Sequence, residues 1–344
     1  MSINEALVFI SLYYKFISNM TDHRKIIAYW LLATGFMVAA MAVIGAITRL
    51  TESGLSIVQW HPVKDMLPPL SNSEWERLFA IYQETPEYQK INYSMVLADF
   101  KQIYFWEWLH RLWGRLIGIV YALPLLFFWI KKWIPAGFHG KLLIGLLLGG
   151  AQGFMGWFMV ESGLIDRPDV SHYRLAAHLF LAFIILGYLL WLALDLLKIP
   201  GRSPYSFCKF RHGCTALFFL ALTVIWGAFT AGLEAGLIYN TWPLMGGQFM
   251  PPESFGSITE SHAWVQFTHR WLAALTLFFV FSFAWRIKSV WLGISVMGQF
   301  ALGIFTLLSA LYIPLAALHQ LGALVTFSLL IMNLHQLWQA RAYR

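Results

Sequence analysis

Apolar residues lie along this chain in long unbroken runs rather than at every second position. Eight runs stand out, at 26–47, 105–130, 142–160, 175–194, 216–233, 264–285, 290–313 and 314–338. Each is close to the roughly 20 residues with which an α-helix crosses about 30 Å of hydrocarbon. Continuous runs exclude a β-barrel wall, whose strands alternate lipid-facing and lumen-facing residues. The last two runs meet at a tight turn, Tyr312-Ile313-Pro314. One long polar interruption, 49–104, separates the first two. Within it Pro68-Pro69 breaks structure, Ser71 or Ser73 is placed to cap a helix, and 73–84 is predicted to form a short amphipathic one. Trp75, Phe79 and Tyr82 fall on one face of it, which predicts a folded cap on the membrane surface.

Composition agrees: of 344 residues 59% are hydrophobic and 12% charged, against about 45–50% and 25% in soluble domains. The mean hydropathy is +0.62. The chain is expected to be an integral membrane protein. Charge adds an orientation. The N-terminus, the loops 131–141, 195–215 and 285–289 and the C-terminus hold 14 of the 24 Lys and Arg but only 3 of the 17 acids. Basic loops stay in the cytoplasm, so both termini are expected there and 49–104 outside. The net charge of +7 is thus a topology signal, and nucleic acid is not expected as a partner. The first 25 residues carry neither a cleavable signal pattern nor an Arg-rich transit sequence. The first span is expected to act as its own insertion signal. Cys208 and Cys214, the only cysteines, have no metal-ligand spacing and fall in a basic cytoplasmic loop. They are expected to be reduced and chemically quiet.

The chain also repeats itself. GAITRLTESGLSIVQWHPV at 45–63 aligns with GAFTAGLEAGLIYNTWPLM at 227–245. Gly45, Ala46, Thr48, Glu52, Gly54, Leu55 and Trp60 match Gly227, Ala228, Thr230, Glu234, Gly236, Leu237 and Trp242. Further echoes follow in the same order: HRLW at 110–113 and HRW at 269–271, Gln152 and Gly156 with Gln299 and Gly303, AAH at 176–178 with ALH at 317–319. The expected fold is all-α, eight transmembrane helices as two tandem pseudo-symmetric four-helix bundles. Residues 1–25 form a cytoplasmic segment, 26–197 the N-terminal unit, 198–214 a cytoplasmic linker and 215–344 the C-terminal unit.

His110, His178, His269 and His319 fall in the four even-numbered spans, each one to two turns below the same end. A pair of imidazoles facing across a four-helix bundle suits axial ligation of a haem iron. Arg111, Arg174 and Arg270 lie beside them and suit the propionates. Zinc fits less well, since a pair of histidines lacks its third and fourth ligands. His23, His61, His139, His172, His212, His262 and His335 break the repeat and are expected in loops or interfaces. One asymmetry remains. The first unit reads Glu107-x-x-His110, the second Gln266-x-x-His269. Residues three apart share a helix face, so Glu107 is expected in the pocket of His110. A buried carboxylate is costly in a membrane and suits proton-coupled chemistry. The plainer alternative is an ion pair with Arg111 or Arg115.

The stretches TRLTESGLSIVQW (48–60), FKQIYFWEWLHRLWGR (100–115), GWFMVESGL (156–164), NTWPLMGGQFMP (240–251) and LGIFTLL (302–308) resemble the haem A synthase family of bacterial and mitochondrial respiratory membranes. The likeness runs from about 26 to 338, and the insert in the first external loop is similar to the proteobacterial and mitochondrial branch. The external loops lack the paired cysteines of some Gram-positive relatives, and Gln59 stands where an acid is expected. The resemblance implies oxidation of a ring methyl of haem O to the formyl group of haem A. It implies haem b as a cofactor on His269 and His319, and the substrate near Glu107, His110 and His178, with Glu107 catalytic. It also implies haem O synthase and the cytochrome oxidase assembly pathway as partners, and a bacterial inner-membrane location. The competing readings are a two-haem transmembrane electron-transfer cytochrome and a repeat-built transporter.

Overall fold

A computed structural model describes residues 22–59, 66–165, 170–199 and 206–341, without the side chains of 161–165. Trp60 and His61 lie outside the described residues. Among these residues the regular structure is helical: α1 His23–Leu50, α2 Asn72–Gln83, α3 Pro86–Lys90, α4 Leu97–Ile130, α5 His139–Ile165, α6 His172–Leu197, α7 Phe207–Gly232, α8 His262–Ile287, α9 Val290–Leu308 and α10 Ile313–Gln339. Eight of them, all but α2 and α3, are long and apolar enough to cross a membrane.

The helices close into two rings. In the N-terminal half α1 packs on α4 and α6, and α5 on α6, with a thinner contact from α4 to α5. In the C-terminal half α7, α8, α9 and α10 each pack on the next, and α10 returns to α7. The halves join through α6 on α7 and through α10 on α1 and α6. Here Phe183 meets Phe327 edge to face, with ring centroids 5.2 Å apart. A Cβ on Gly187 would stand 2.9 Å from the Phe327 ring, so glycine lets the two helices approach. The outer helices α5 and α9 expose Leu147, Phe154, Trp291, Ile294 and Phe305, the apolar surface that lipid covers.

Several helix ends differ from the apolar runs. α4 begins at Leu97 rather than 105, because Phe100, Ile103 and Tyr104 are buried under the cap against Trp75 and Phe79. The cap helix α2 starts as expected, with the Ser71 hydroxyl accepting from the backbone N–H of Glu74 at 3.2 Å. Tyr82, fully buried at its end, has its phenol pushed upward by burial and by Glu87. α7 begins at Phe207 rather than 216, which corrects the placement of Cys208 and Cys214: both sit in its first turns, not in a loop. Gly213 explains the extension. A Cβ there would lie 2.6 Å from Leu334 and 2.8 Å from Phe283, so this turn is packed between α8 and α10. α9 stops at Leu308, and Ala310 and Leu311 take left-handed φ values of 50° and 63° before Pro314 opens α10.

Of the histidines outside the repeat, His335 is fully buried between the halves. Its Nε2 lies 2.9 Å from Oδ1 of Asp195 on α6, and Gln339 donates to the same oxygen at 2.8 Å. His23 stacks on Trp133 at 4.1 Å.

Candidate functional site: four cradled histidines and a carboxylate clamp

Each of the four repeat-related histidines lies against a glycine of the preceding spanning helix. A Cβ built on Gly45 of α1 would stand 2.9 Å from Cε1 of His110, and one on Gly156 of α5 3.0 Å from Cε1 of His178. In the other half a Cβ on Gly227 of α7 would stand 3.0 Å from His269, and one on Gly303 of α9 2.9 Å from His319. Any side chain at these positions would collide with the imidazole, so glycine lets each ring pack against the neighbouring helix. His110 and His178 stand within electrostatic range of each other, as do His269 and His319. Each half therefore presents one pair of imidazoles from facing helices. No cluster of three or more His, Cys, Asp or Glu forms among the described residues.

Gln152 and Gln299 orient one histidine of each pair. The Gln299 amide faces Nδ1 of His319 at 3.1 Å. The Gln152 amide lies 3.2 Å from Nδ1 of His178 and donates to its backbone carbonyl at 3.1 Å. An amide meets Nδ1 with either its oxygen or its NH2. For Gln299, with oxygen facing, His319 keeps its proton at Nδ1 and leaves an Nε2 lone pair for an iron; Gln152, fixed by its bond to the His178 carbonyl, lies along the His178 ring, 3.3 Å from its Nε2. The other members of the pairs, His110 and His269, each bury an Nδ1 with no hydrogen-bond partner. Buried polar atoms are seldom left so in a finished site. These orphaned nitrogens and the paired rings fit bis-histidine haem in both halves.

Glu107 is 3% exposed, and both its oxygens are engaged. Oε2 accepts from the Ser56 hydroxyl at 2.7 Å and from the backbone N–H of Ile57 at 2.8 Å. Oε1 pairs with Arg111 at 2.6 Å, and Arg111 also donates to the Ile57 carbonyl at 3.1 Å. The carboxylate thus clamps the segment after α1 onto the turn that carries His110. The C-terminal half builds the same clamp with an amide. Gln266, 2% exposed, donates to the Tyr239 carbonyl at 3.2 Å. Arg270 donates to Tyr239 at 2.7 Å and Thr241 at 2.8 Å. The sequence placed Glu107, Arg111, Gln266 and Arg270 near the histidines and offered a Glu107–Arg111 ion pair as the plainer alternative; that pair forms, and both arginines also hold loop carbonyls. Arg174 instead lies over the Phe158 ring at 4.1 Å and donates to the Phe158 carbonyl at 3.3 Å.

Ser56, Ile57 and the four glycines were not singled out from the sequence as site residues. The glycines were visible as repeat identities, but what each one touches is not a property of one chain segment. Glu52 and Glu234, also repeat-matched, end α1 and α7 with left-handed φ of 51° and 52°.

Residues 28–331 match the COX15-CtaA family, described as cytochrome oxidase assembly protein. The chain is 50% identical to a heme A synthase of Rhodospirillum centenum over 331 residues, 91% of this chain and 88% of that protein. It is 44% identical to a heme A synthase of Parvibaculum lavamentivorans, covering 93% of this chain and 97% of the relative. It is 41% identical to the human heme A synthase COX15, covering 90% and 82%.

Proposed function

Because the chain belongs to the COX15-CtaA family of heme A synthases, we propose that it oxidises a ring methyl of haem O to the formyl group of haem A in the bacterial inner membrane. The observation that carries the reading is the pair of cradled histidine sites, one of which alone has a carboxylate beside it. His269 and His319 hold a resident haem b, which supplies one-electron redox chemistry when bound. His110 and His178 hold the iron of the substrate, haem O. Glu107 acts from its clamp: it fixes the segment over the pocket and provides an acceptor for protons released at the substrate methyl. Arg174, and the N–H groups that Arg111 and Arg270 do not spend on their clamps, face the propionates. Haem O synthase supplies the substrate, and assembly of cytochrome oxidase consumes the product.

Four histidine variants test the assignment. His269→Ala or His319→Ala is expected to remove haem b from the purified protein. His110→Ala or His178→Ala is expected to keep haem b and lose haem O and haem A. Loss of one and the same haem from all four would end the two-pocket assignment. The recurrence of the cradle in both halves also suits a two-haem electron-transfer cytochrome. Such a protein would keep both haems chemically unchanged through turnover, so extracted pigment containing b, O and A types together decides against it.

Eight candidate spans among the described residues support a topology with both termini on one side, and the basic loops support that side being cytoplasmic. Cys208 provides a native probe. A membrane-impermeant thiol reagent is expected to leave it unlabelled in intact cells and to label it once the membrane is opened. Labelling in intact cells would reverse the orientation.

A further inference from the structure

Between the cap helix α2 and the segment after α1 lies a cavity of about 510 Å³. Its shape follows from two stripes on α2. Trp75, Phe79 and Tyr82 form one and pack on Phe100 of α4, with Trp75 also 5.0 Å from the Tyr104 ring. Glu74, Arg77, Leu78 and Ile81 stand three and four apart on the other, and all four roof the cavity. The floor is Ser56, Ile57, Val58 and Gln59, and Tyr104 of α4 forms one side. Charged and polar groups on both surfaces keep the roof and floor from closing into a dry seam.

The floor runs from buried to open. Ser56 is 2% exposed and Ile57 5%, while Val58 is half-buried and Gln59 exposed. Its inner end is the clamp itself. The Ser56 hydroxyl and the Ile57 N–H donate to Oε2 of Glu107 at 2.7 and 2.8 Å. One residue therefore separates the carboxylate from the cavity. The Ser56 hydroxyl also reaches the Ser53 carbonyl at 3.3 Å, and a hydroxyl accepts as well as donates. A water molecule takes up about 30 Å³ and needs two to four polar partners, so a cavity of this size and lining holds water. Glu107 needs such an outlet. It is 3% exposed, and each proton it takes must leave before the next arrives. Hydrocarbon offers no way out for a charge.

We propose that the cavity under α2 is a water-filled antechamber through which protons taken by Glu107 leave to the water on the cap side. The inference rests on the functional reading above and adds the exit that this reading requires. The step is a proton transfer with no change at carbon. Protonated Glu107 donates through Oε2 to the Ser56 hydroxyl, whose own proton passes to a cavity water. The proton then moves along the water past Gln59, Glu74 and Arg77 to solvent. Glu107 returns to the carboxylate that pairs with Arg111. Ser56→Ala does not close the route, because a cavity water takes the place of the hydroxyl. Gln266 is an amide that neither takes nor releases a proton, so the C-terminal half needs no such exit.

The experiment fills the cavity from either surface, with Val58→Phe on the floor and Ser73→Trp on the roof. Hydrogen exchange at the Ile57 amide is read by mass spectrometry in lipid nanodiscs. Haem b and haem O are extracted from the purified variants, and haem A formed per haem b is measured in membranes supplied with haem O. Both variants are expected to slow exchange at Ile57 and to keep both haems. Haem A formation should fall at least about tenfold, within the roughly 10²–10⁴-fold that a positioned proton acceptor contributes. A damaged clamp would speed the exchange instead, so the sign of the change separates filling from unfolding. If one variant loses haem b or exchanges faster, the other is read. Exchange no slower than wild type in either variant would overturn the inference. So would normal haem A formation behind slowed exchange, or loss of haem O together with haem A. None of these results touches the assignment of haem b to His269 and His319. Near-normal haem A from Glu107→Gln would instead remove the acceptor from the reaction, and this route with it.

Discussion

The clamp of the C-terminal half is made of donors, and that of the N-terminal half is not. Gln266 and Arg270 both give N–H groups to the carbonyls of Tyr239 and Thr241. Glu107 instead receives, from Ser56 and from the backbone of Ile57, while Arg111 neutralises it. Fastening a loop to a helix beside a histidine therefore does not require a carboxylate in this fold. The charge in the N-terminal half needs another reason, and the backbone of the segment after α1 turns an N–H inward to meet it. The glycine cradles teach the converse. They are the same in both halves, so they answer to what the halves share, an imidazole packed against the helix before it.

The largest effects are expected where the halves are alike. Leucine in place of Gly303 or Gly156 must intrude on a ring already in contact, and overpacking of this kind costs about 1–3 kcal/mol before any ligand is considered. Gly303→Leu is expected to abolish haem b retention, and Gly156→Leu to spare haem b and abolish retention of haem O and haem A. Haem extraction from the two purified variants checks this. Loss of the same haem from both would show that the cradles do not belong to separate sites.

Exchange across the asymmetry is expected to have the next largest effect. Glu107→Gln should fold and hold haem b yet make about 10²-fold less haem A per haem b, the usual scale for a positioned proton acceptor. Ser56→Ala removes one clamp donor and leaves the carboxylate, so it separates fastening from chemistry and should keep most of the activity. The reverse exchange, Gln266→Glu, sets a carboxylate against the Tyr239 carbonyl. It is expected to lower stability in detergent by about 1–3 kcal/mol and to confer no oxidation on the C-terminal half. Near-normal haem A from Glu107→Gln would show that the asymmetry does not carry the reaction.

The smallest effects belong to the ties between halves. Asp195 sits between Lys141, His335 and Gln339 at the end away from the cap. Its partner His335 is fully buried, so Asp195→Asn is expected to cost about 1–3 kcal/mol of thermal stability. At the cap end Arg49 meets Glu234 at 3.1 Å, but half of the Glu234 side chain is in solvent. Arg49→Ala should cost about 1 kcal/mol or less. Unfolding midpoints of both variants in one detergent rank the two ties, and a larger loss from Arg49→Ala would reverse the ranking.

Helix number and span identity were legible from the chain alone, because a bilayer imposes about 20 apolar residues on any crossing helix and leaves no other solution for the backbone. The internal repeat was equally legible, since matched residues keep their order whatever they touch. Glu107 was placed near His110 by helical spacing, a local rule that needs no partner helix. Helix ends were less so. Leu97 and Phe207 begin their helices in polar sequence, because burial under the cap and between α8 and α10 decides there and hydropathy does not. The tertiary structure alone decided which helix lies across from each histidine, that a glycine stands there, and that the Ile57 backbone reaches Glu107. Each of these joins residues far apart in the chain, and how closely two helices approach depends on the side chains of both at once.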